Sequence, residues 1–175
     1  IYCASNMNDV LTRFIASGSL EPKETMPTVA PSMDIQIPSS LERLIYDLEG
    51  DTSSFYNQLQ NEKVATLSED ATKKLQSIFS SKSFDDEMIL KEIKDFNKNY
   101  DWIVDPHTAT AVSEKVTFGS NLPVVGVATA SPEKFSNVIS SVISSFSVKN
   151  SENTEDYIVC RSDSSTVENT IKEYF

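Results

Sequence analysis

The chain has 175 residues, 39% of them hydrophobic, which suffices for one ordinary domain with a real core and is too little for a membrane protein. Its longest apolar run, Val124 to Ala128 with its neighbours, falls far short of the roughly 20 residues that a spanning helix needs. A formal net charge of −11 gains nothing from phosphate counterion release, so no nucleic-acid partner and no membrane are expected.

In chain order, Ile1 to Ala4 reads as the end of a buried strand, with Ser5-Asn6 as the turn after it. A helix follows in which Val10, Leu11, Phe14 and Ile15 share one apolar face, stopped by Gly18. Residues 19–38 contain Pro22, Pro27, Pro31 and Pro38 and read as an ordered but irregular connection. Ser39-Ser40-Leu41-Glu42 has the form of a capping box, in which the Ser39 hydroxyl and the Glu42 carboxylate satisfy each other's amides. The helix it opens carries Leu41, Leu44, Ile45 and Leu48 and ends at Gly50.

Further helices are predicted over Ser53 to Asn61, over Ser68 to Ser80 with Ala71, Leu75, Ile78 and Phe79 on one face, and over Phe84 to Asn99 behind a second capping box at Ser83 to Asp86. Asp105-Pro106 starts the next helix, because proline suits a first helical position. Leu122 to Ala128 is the second apolar strand, and Phe135, Val138, Ile139, Val142, Ile143 and Phe146 form the stripe of the helix after it. Ser147 to Asp156 is polar and expected to be mobile, Tyr157 to Arg161 extended, and Ser165 to Phe175 a closing helix with Val167, Ile171 and Tyr174 inward.

Two strands among so many helices do not make a free-standing sheet. Both strands are near-continuously apolar, as in a parallel sheet covered on both faces. The rest of the sheet is therefore expected in a preceding segment of the same polypeptide, with residues 1–146 belonging to its domain and 147–175 forming a C-terminal tail.

The chemistry-bearing residues are few. Cys3 and Cys160 fit no metal spacing, and one histidine leaves no His/Cys zinc set, so no metal is expected. So sparse a cysteine count, without a secretory leader, favours reduced thiols in the cytosol, with Cys3 a small core residue. His107, beside the Asp105-Pro106 helix start, is expected to settle as a hydrogen-bonding group. Gly18, Gly50, Gly119 and Gly126 show no phosphate-loop or dinucleotide spacing. Asp85-Asp86-Glu87 and Glu152/Glu155/Asp156 read as dipole complements or solvent charges, so no catalytic residue is assigned.

Thr129 stands apart. It ends the apolar run Val124 to Ala128 just before Ser131-Pro132 opens a helix, and open α/β sheets bind ligands past the carboxyl ends of their strands. Either it bonds its own backbone as a strand-end residue, or it faces a ligand. Thr129-Ala130-Ser131-Pro132-Glu133-Lys134-Phe135 resembles the T-A-H-P-A-K-F segment of threonine synthases. Ala4-Ser5-Asn6-Met7-Asn8-Asp9-Val10-Leu11-Thr12-Arg13-Phe14, Pro31-Ser32-Met33-Asp34-Ile35 with Pro38-Ser39-Ser40-Leu41-Glu42-Arg43-Leu44, and Asp105-Pro106-His107-Thr108-Ala109 match further segments of that family in the same order.

The resemblance implies the C-terminal part of a three-layer αβα enzyme of fold type II, a pyridoxal 5'-phosphate-dependent lyase that forms L-threonine and phosphate from O-phospho-L-homoserine and water. It implies that the Thr129 hydroxyl meets the pyridine nitrogen of the cofactor, and that a small phosphorylated amino acid is the substrate. The family's cofactor-binding lysine and phosphate-cradling loop have no counterpart here, so the cofactor would be held mainly by the N-terminal remainder, and this segment alone would be inactive. Ser131 departs from the family's histidine but suits an N-cap. Two alternatives stay open: a homologue with altered or lost activity, and a non-catalytic helical interaction domain.

Overall fold

The computed structural model describes residues 1–113, 124–148, 161 and 163–174. Its centre is a short parallel pair, in which β1 (Tyr2–Ser5) runs beside β4 (Ser80–Ser83), with Tyr2 opposite Ser80 and Ser5 opposite Ser83. Successive side chains of a strand point to opposite faces, and here Cys3 packs against one hydrophobic cluster while Ala4 packs against another. The α/β character of the chain lies in this arrangement, with helices over both faces of parallel strands.

The first cluster is built by α1 (Val10–Ser17), α2 (Leu41–Glu49), α3 (Ser53–Glu62) and α4 (Glu69–Ile78), which bury Phe14, Ile45, Phe55, Leu59 and Leu75 together. The Phe14 and Phe55 rings meet edge to face at 6.1 Å. At its rim β2 (Ser19–Leu20) pairs antiparallel with β3 (Ala65–Thr66), carrying Leu20 and Ala65 inward. The second cluster joins Phe84 to Ile89 and Ile93 of α5 (Asp86–Tyr100), Ala109 of α6 (Pro106–Val112) and Ile139 of α7 (Ser136–Val142). No helix among the described residues is long and apolar enough to cross a membrane.

β4 is a strand that hydropathy hides. Ser80-Ser81-Lys82-Ser83 offers no apolar alternation, and the expected helix over 68–80 stops at Ile78, with Phe79 already extended. Its polarity is tolerated because Thr12 links the hydroxyls, lying 2.7 Å from both Ser81 and Ser5. Neither capping box forms. Ser40 precedes α2 in helical conformation and makes no side-chain cap, and the Leu41 amide bonds the Pro38 carbonyl instead. Ser83 belongs to β4, and Asp85 caps α5 by accepting the Met88 amide at 2.7 Å.

The expected strand over 122–128 is also corrected. Residues 124–128 form no strand, and Val124, Val125 and Val127 are 54%, 84% and 69% exposed. A strand exists only as part of a ladder, and among the described residues nothing pairs with this run. Ile1 is likewise 75% exposed, so β1 is half-buried, not buried. The helical stripe from Phe135 to Phe146 packs on the second cluster as expected, although the α-helix within it is short and follows a 3₁₀ turn over Pro132–Phe135. The expectations for 149–160, Cys160 included, lie outside the described residues. Cys3 packs on the first cluster as a half-buried residue, and burial pushes its thiol pKa up.

α8 (Ser164–Tyr174) closes the chain, but Val167 and Ile171 are 38% and 53% exposed, contrary to the inward face expected of them. Asp163 caps it, accepting from the Ser165 hydroxyl, the Thr166 amide and the Thr166 hydroxyl at 2.7, 2.8 and 2.7 Å. Those bonds favour the ionised form and lower its carboxyl from 3.8 to about 2. A depressed folded-state pKa means that the cap is at full strength above pH 3.8 and is lost as pH falls toward 2. An NMR titration of the Asp163 carboxyl should therefore have its midpoint near 2, and a midpoint near 3.8 would show that the cap does not form.

Gly18 ends α1 at φ +74°, and a Cβ built there would stand 2.2 Å from the Thr72 hydroxyl oxygen. Gly18→Ala should then lose more than the roughly 1–2 kcal/mol of left-handed strain alone. Denaturant unfolding of the intact protein checks this, and a loss below about 1 kcal/mol would mean that the helix end relaxes freely.

Candidate functional site

β1 runs out at Ser5, and the two asparagines after it are buried, Asn6 at 0% and Asn8 at 3% exposure. Buried amides need partners, and these find theirs in the proline-rich connection. The Asn6 side chain donates to Asp34 Oδ1 at 2.7 Å, to Thr28 Oγ1 at 2.7 Å and to the Ala30 carbonyl at 3.2 Å. The Asn8 side chain donates to Asp34 Oδ1 at 3.0 Å and to the Met26 carbonyl at 2.8 Å, and its oxygen accepts the Met26 amide. Thr28 gives both its amide and its hydroxyl to Asp34. The connection is irregular yet fixed, because side chains supply the hydrogen bonds that a ladder would otherwise provide.

Between Thr28 and Asp34 the chain makes a 3₁₀ turn over Pro31–Met33. The Ser32 amide in that turn donates to His107 Nε2 at 3.1 Å, 75 residues away in sequence. His107 is the second residue of α6, whose N-cap Asp105 accepts the His107 amide at 3.0 Å and lies 2.8 Å from His107 Nδ1. Asp105 also accepts from the Thr108 hydroxyl. His107 thus acts as the hydrogen-bonding group that the sequence suggested. On its other side the ring packs against Phe135, with centroids 4.7 Å apart.

Phe135 ends the short turn that follows Thr129. Ser131 caps that turn by accepting the Glu133 amide at 3.3 Å, the N-cap role that suited it. Thr129 itself is exposed, at an open cleft of ≈ 530 Å³ that it shares with Ser32, Met33, His107, Thr110 and Lys134. Gly126 lets the run before Thr129 approach α6 closely, since a Cβ there would meet Val112 Cγ1 at 3.1 Å. Among the described residues, no carboxylate lines the cleft.

The geometry thus gathers at one place the four segments on which the family resemblance rests. Asn6 and Asn8 bind Asp34, the Ser32 turn binds His107, and His107 packs on Phe135 beside Thr129. Ser32 and Asp34 carry roles that the sequence reading did not assign. The available signal was the density of Asn, Thr and Asp side chains around prolines, where backbone ladders cannot form.

No family model matches the chain. Among curated proteins it is 31% identical over 143 residues to the threonine synthase of Pseudomonas aeruginosa, a match covering 78% of this chain and 30% of that protein. It is 30% identical over 165 residues to a threonine synthase-like 1 protein of Macaca fascicularis, covering 90% of this chain and 22% of that one. Among solved structures, a PLP-bound threonine synthase from Brucella melitensis superposes with a TM-score of 0.76 at 30% identity, over 81% of this chain and 32% of that one. The chain belongs with the C-terminal portion of the threonine synthases. It spans under a third of the length of the two curated relatives, so the fold it shows is one part of a threonine synthase.

Within that portion Asp34 is the residue whose loss should be felt most. Asp34→Ala leaves the buried Asn6 and Asn8 amides short of an acceptor, which should cost on the order of 3 kcal/mol. Asp34→Asn should do little better, because its amide hydrogens would face other donors. Denaturant unfolding of the intact protein measures both, and a loss under about 1 kcal/mol for either would show that water replaces the carboxylate.

Proposed function

We propose that the chain is the C-terminal segment of a pyridoxal 5'-phosphate-dependent lyase that converts O-phospho-L-homoserine and water to L-threonine and phosphate, as the threonine synthase family does. The convergence of four separate segments on the Thr129 cleft is the observation that carries this reading.

The residues present fit the cofactor. Thr129 offers a neutral hydroxyl at the cleft, a partner that would leave a pyridine nitrogen largely unprotonated. When bound, pyridoxal phosphate supplies the electron sink for negative charge developing on the substrate carbon. Thr129 would hold and moderate its ring nitrogen, with Met33 and Phe135 as apolar neighbours at that end of the cleft. The cofactor-binding lysine and the phosphate cradle belong to the remainder of the polypeptide, and this segment by itself is inactive.

That remainder is the chain's main partner. The exposed Val124, Val125 and Val127 are an apolar run that the remainder's sheet would cover. Residues 1–146 then complete the cofactor domain, with 147–175 as a C-terminal tail. Sparse cysteines favour the cytosol. A second reading is a homologue acting on another phosphorylated substrate. Ser131 in place of the family's histidine and the likeness to a threonine synthase-like 1 protein favour it. Threonine and phosphate release from O-phosphohomoserine by the intact protein separates the two.

The site assignment is tested by Thr129→Val in the intact enzyme. Valine keeps the volume and branching of threonine but removes the hydroxyl. Loss of that hydrogen bond to the bound cofactor should lower turnover about ten- to a hundredfold and shift the cofactor's absorption band. Unchanged turnover and spectrum would make Thr129 a strand-end residue and nothing more.

A further inference from the structure

His107 is only 8% exposed, and Asp105 beside it 1%. Few residues so buried are titratable, and an apolar side chain of the same size would fill the space at lower cost. What an apolar side chain could not do is bond in two directions. The Ser32 amide can only donate, so His107 Nε2 must accept, and the hydrogen must sit on Nδ1, which gives it to Asp105. Asp105 is fixed in turn by the His107 amide and the Thr108 hydroxyl, so the tautomer is enforced from behind.

The imidazole connects two elements that do not otherwise share a segment of chain. Through Nε2 it holds the 3₁₀ turn of Ser32 and Met33, one wall of the cleft. Through its face it holds Phe135, which ends the turn that begins three residues after Thr129, the other wall. We propose that His107 is a positioning residue, whose Nδ1–H tautomer clamps the Ser32 wall to the Thr129–Phe135 wall and so sets where the Thr129 hydroxyl points. This rests on Thr129 being the ring-nitrogen contact of the cofactor.

The intact protein tests it with a pair of variants. In His107→Gln the side-chain oxygen reaches the place of Nε2 and can accept the Ser32 amide. In His107→Asn the shorter amide can still donate to Asp105 but cannot reach Ser32. Hydrogen exchange at the Ser32 amide should quicken about tenfold or more in the Asn variant and stay within about twofold of wild type in the Gln variant. The absorption of bound pyridoxal phosphate and kcat should follow the same order, both disturbed in Asn and both restored in Gln. Equal Ser32 exchange in the two variants overturns the clamp, and so does fast exchange with an unshifted cofactor band. The exchange measurement needs neither cofactor nor substrate. A wild-type protein that binds no pyridoxal phosphate would therefore sink the functional reading and leave the clamp itself to be judged on exchange. Should the Asn variant fail to fold, nitrogen NMR of the wild-type ring decides: a hydrogen on Nδ1 is expected, and one on Nε2 overturns the proposal.

Discussion

The Asp34 carboxylate accepts from the side-chain amides of Asn6 and Asn8 and from both the amide and the hydroxyl of Thr28. The prolines of the connection from 19 to 38 donate nothing, and among the described residues it enters a ladder at β2 alone. Asp34 therefore ties down a stretch that otherwise relies on scattered bonds such as Met26 to Asn8, Val29 to Asp86 and Ser32 to His107. The Ser32 turn lies inside that connection, the His107 bond depends on the turn, and the cleft depends on both. A charged acceptor suits this place because its oxygens take several donors at once and because bonds to it are stronger than neutral ones. The candidate site is thus organised from behind, by groups that do not line it.

What could be read from the sequence was local. Gly18 and Gly50 end their helices in left-handed conformation, and Asp105-Pro106 starts one, because each effect is settled within a turn of chain. The two predicted capping boxes failed for reasons outside their four residues. Pro38 offered the α2 start a carbonyl, and Ser83 was drawn into β4 by pairing with Ser5. β4 itself is specified by what lies beside it, with β1 and Thr12 supplying partners for a serine-rich run that has no periodicity of its own. The run from Val124 to Ala128 shows the converse. Its composition is that of a central strand, but a strand is a property of a pair, and no partner lies among the described residues.

The site was legible in a different way. Thr129 stood out through its place at the end of an apolar run, and the structure sets it at a cleft with His107, another residue singled out by its surroundings. The bonds that join Asn6 to Asp34 and Ser32 to His107 span 28 and 75 residues, and no local rule connects such positions. Ordered short motifs were informative because each carries one side of a long-range contact. Their order along the chain said that they belong together, and only three dimensions showed that they touch.

β1 carries a further consequence. Tyr2 pairs with Ser80, so the parallel ladder closes a long loop between them, and inside that loop lie all four helices of the first cluster. Closing a long loop costs entropy before any contact rewards it, and that cost shrinks once the intervening chain has compacted. The first cluster is therefore the natural early step in folding, since α1 to α4 bring β4 to β1. The Ser32–His107 bond waits for α6, later still in the chain. During synthesis, the His107 side of the cleft is therefore added to a first cluster that is already in place.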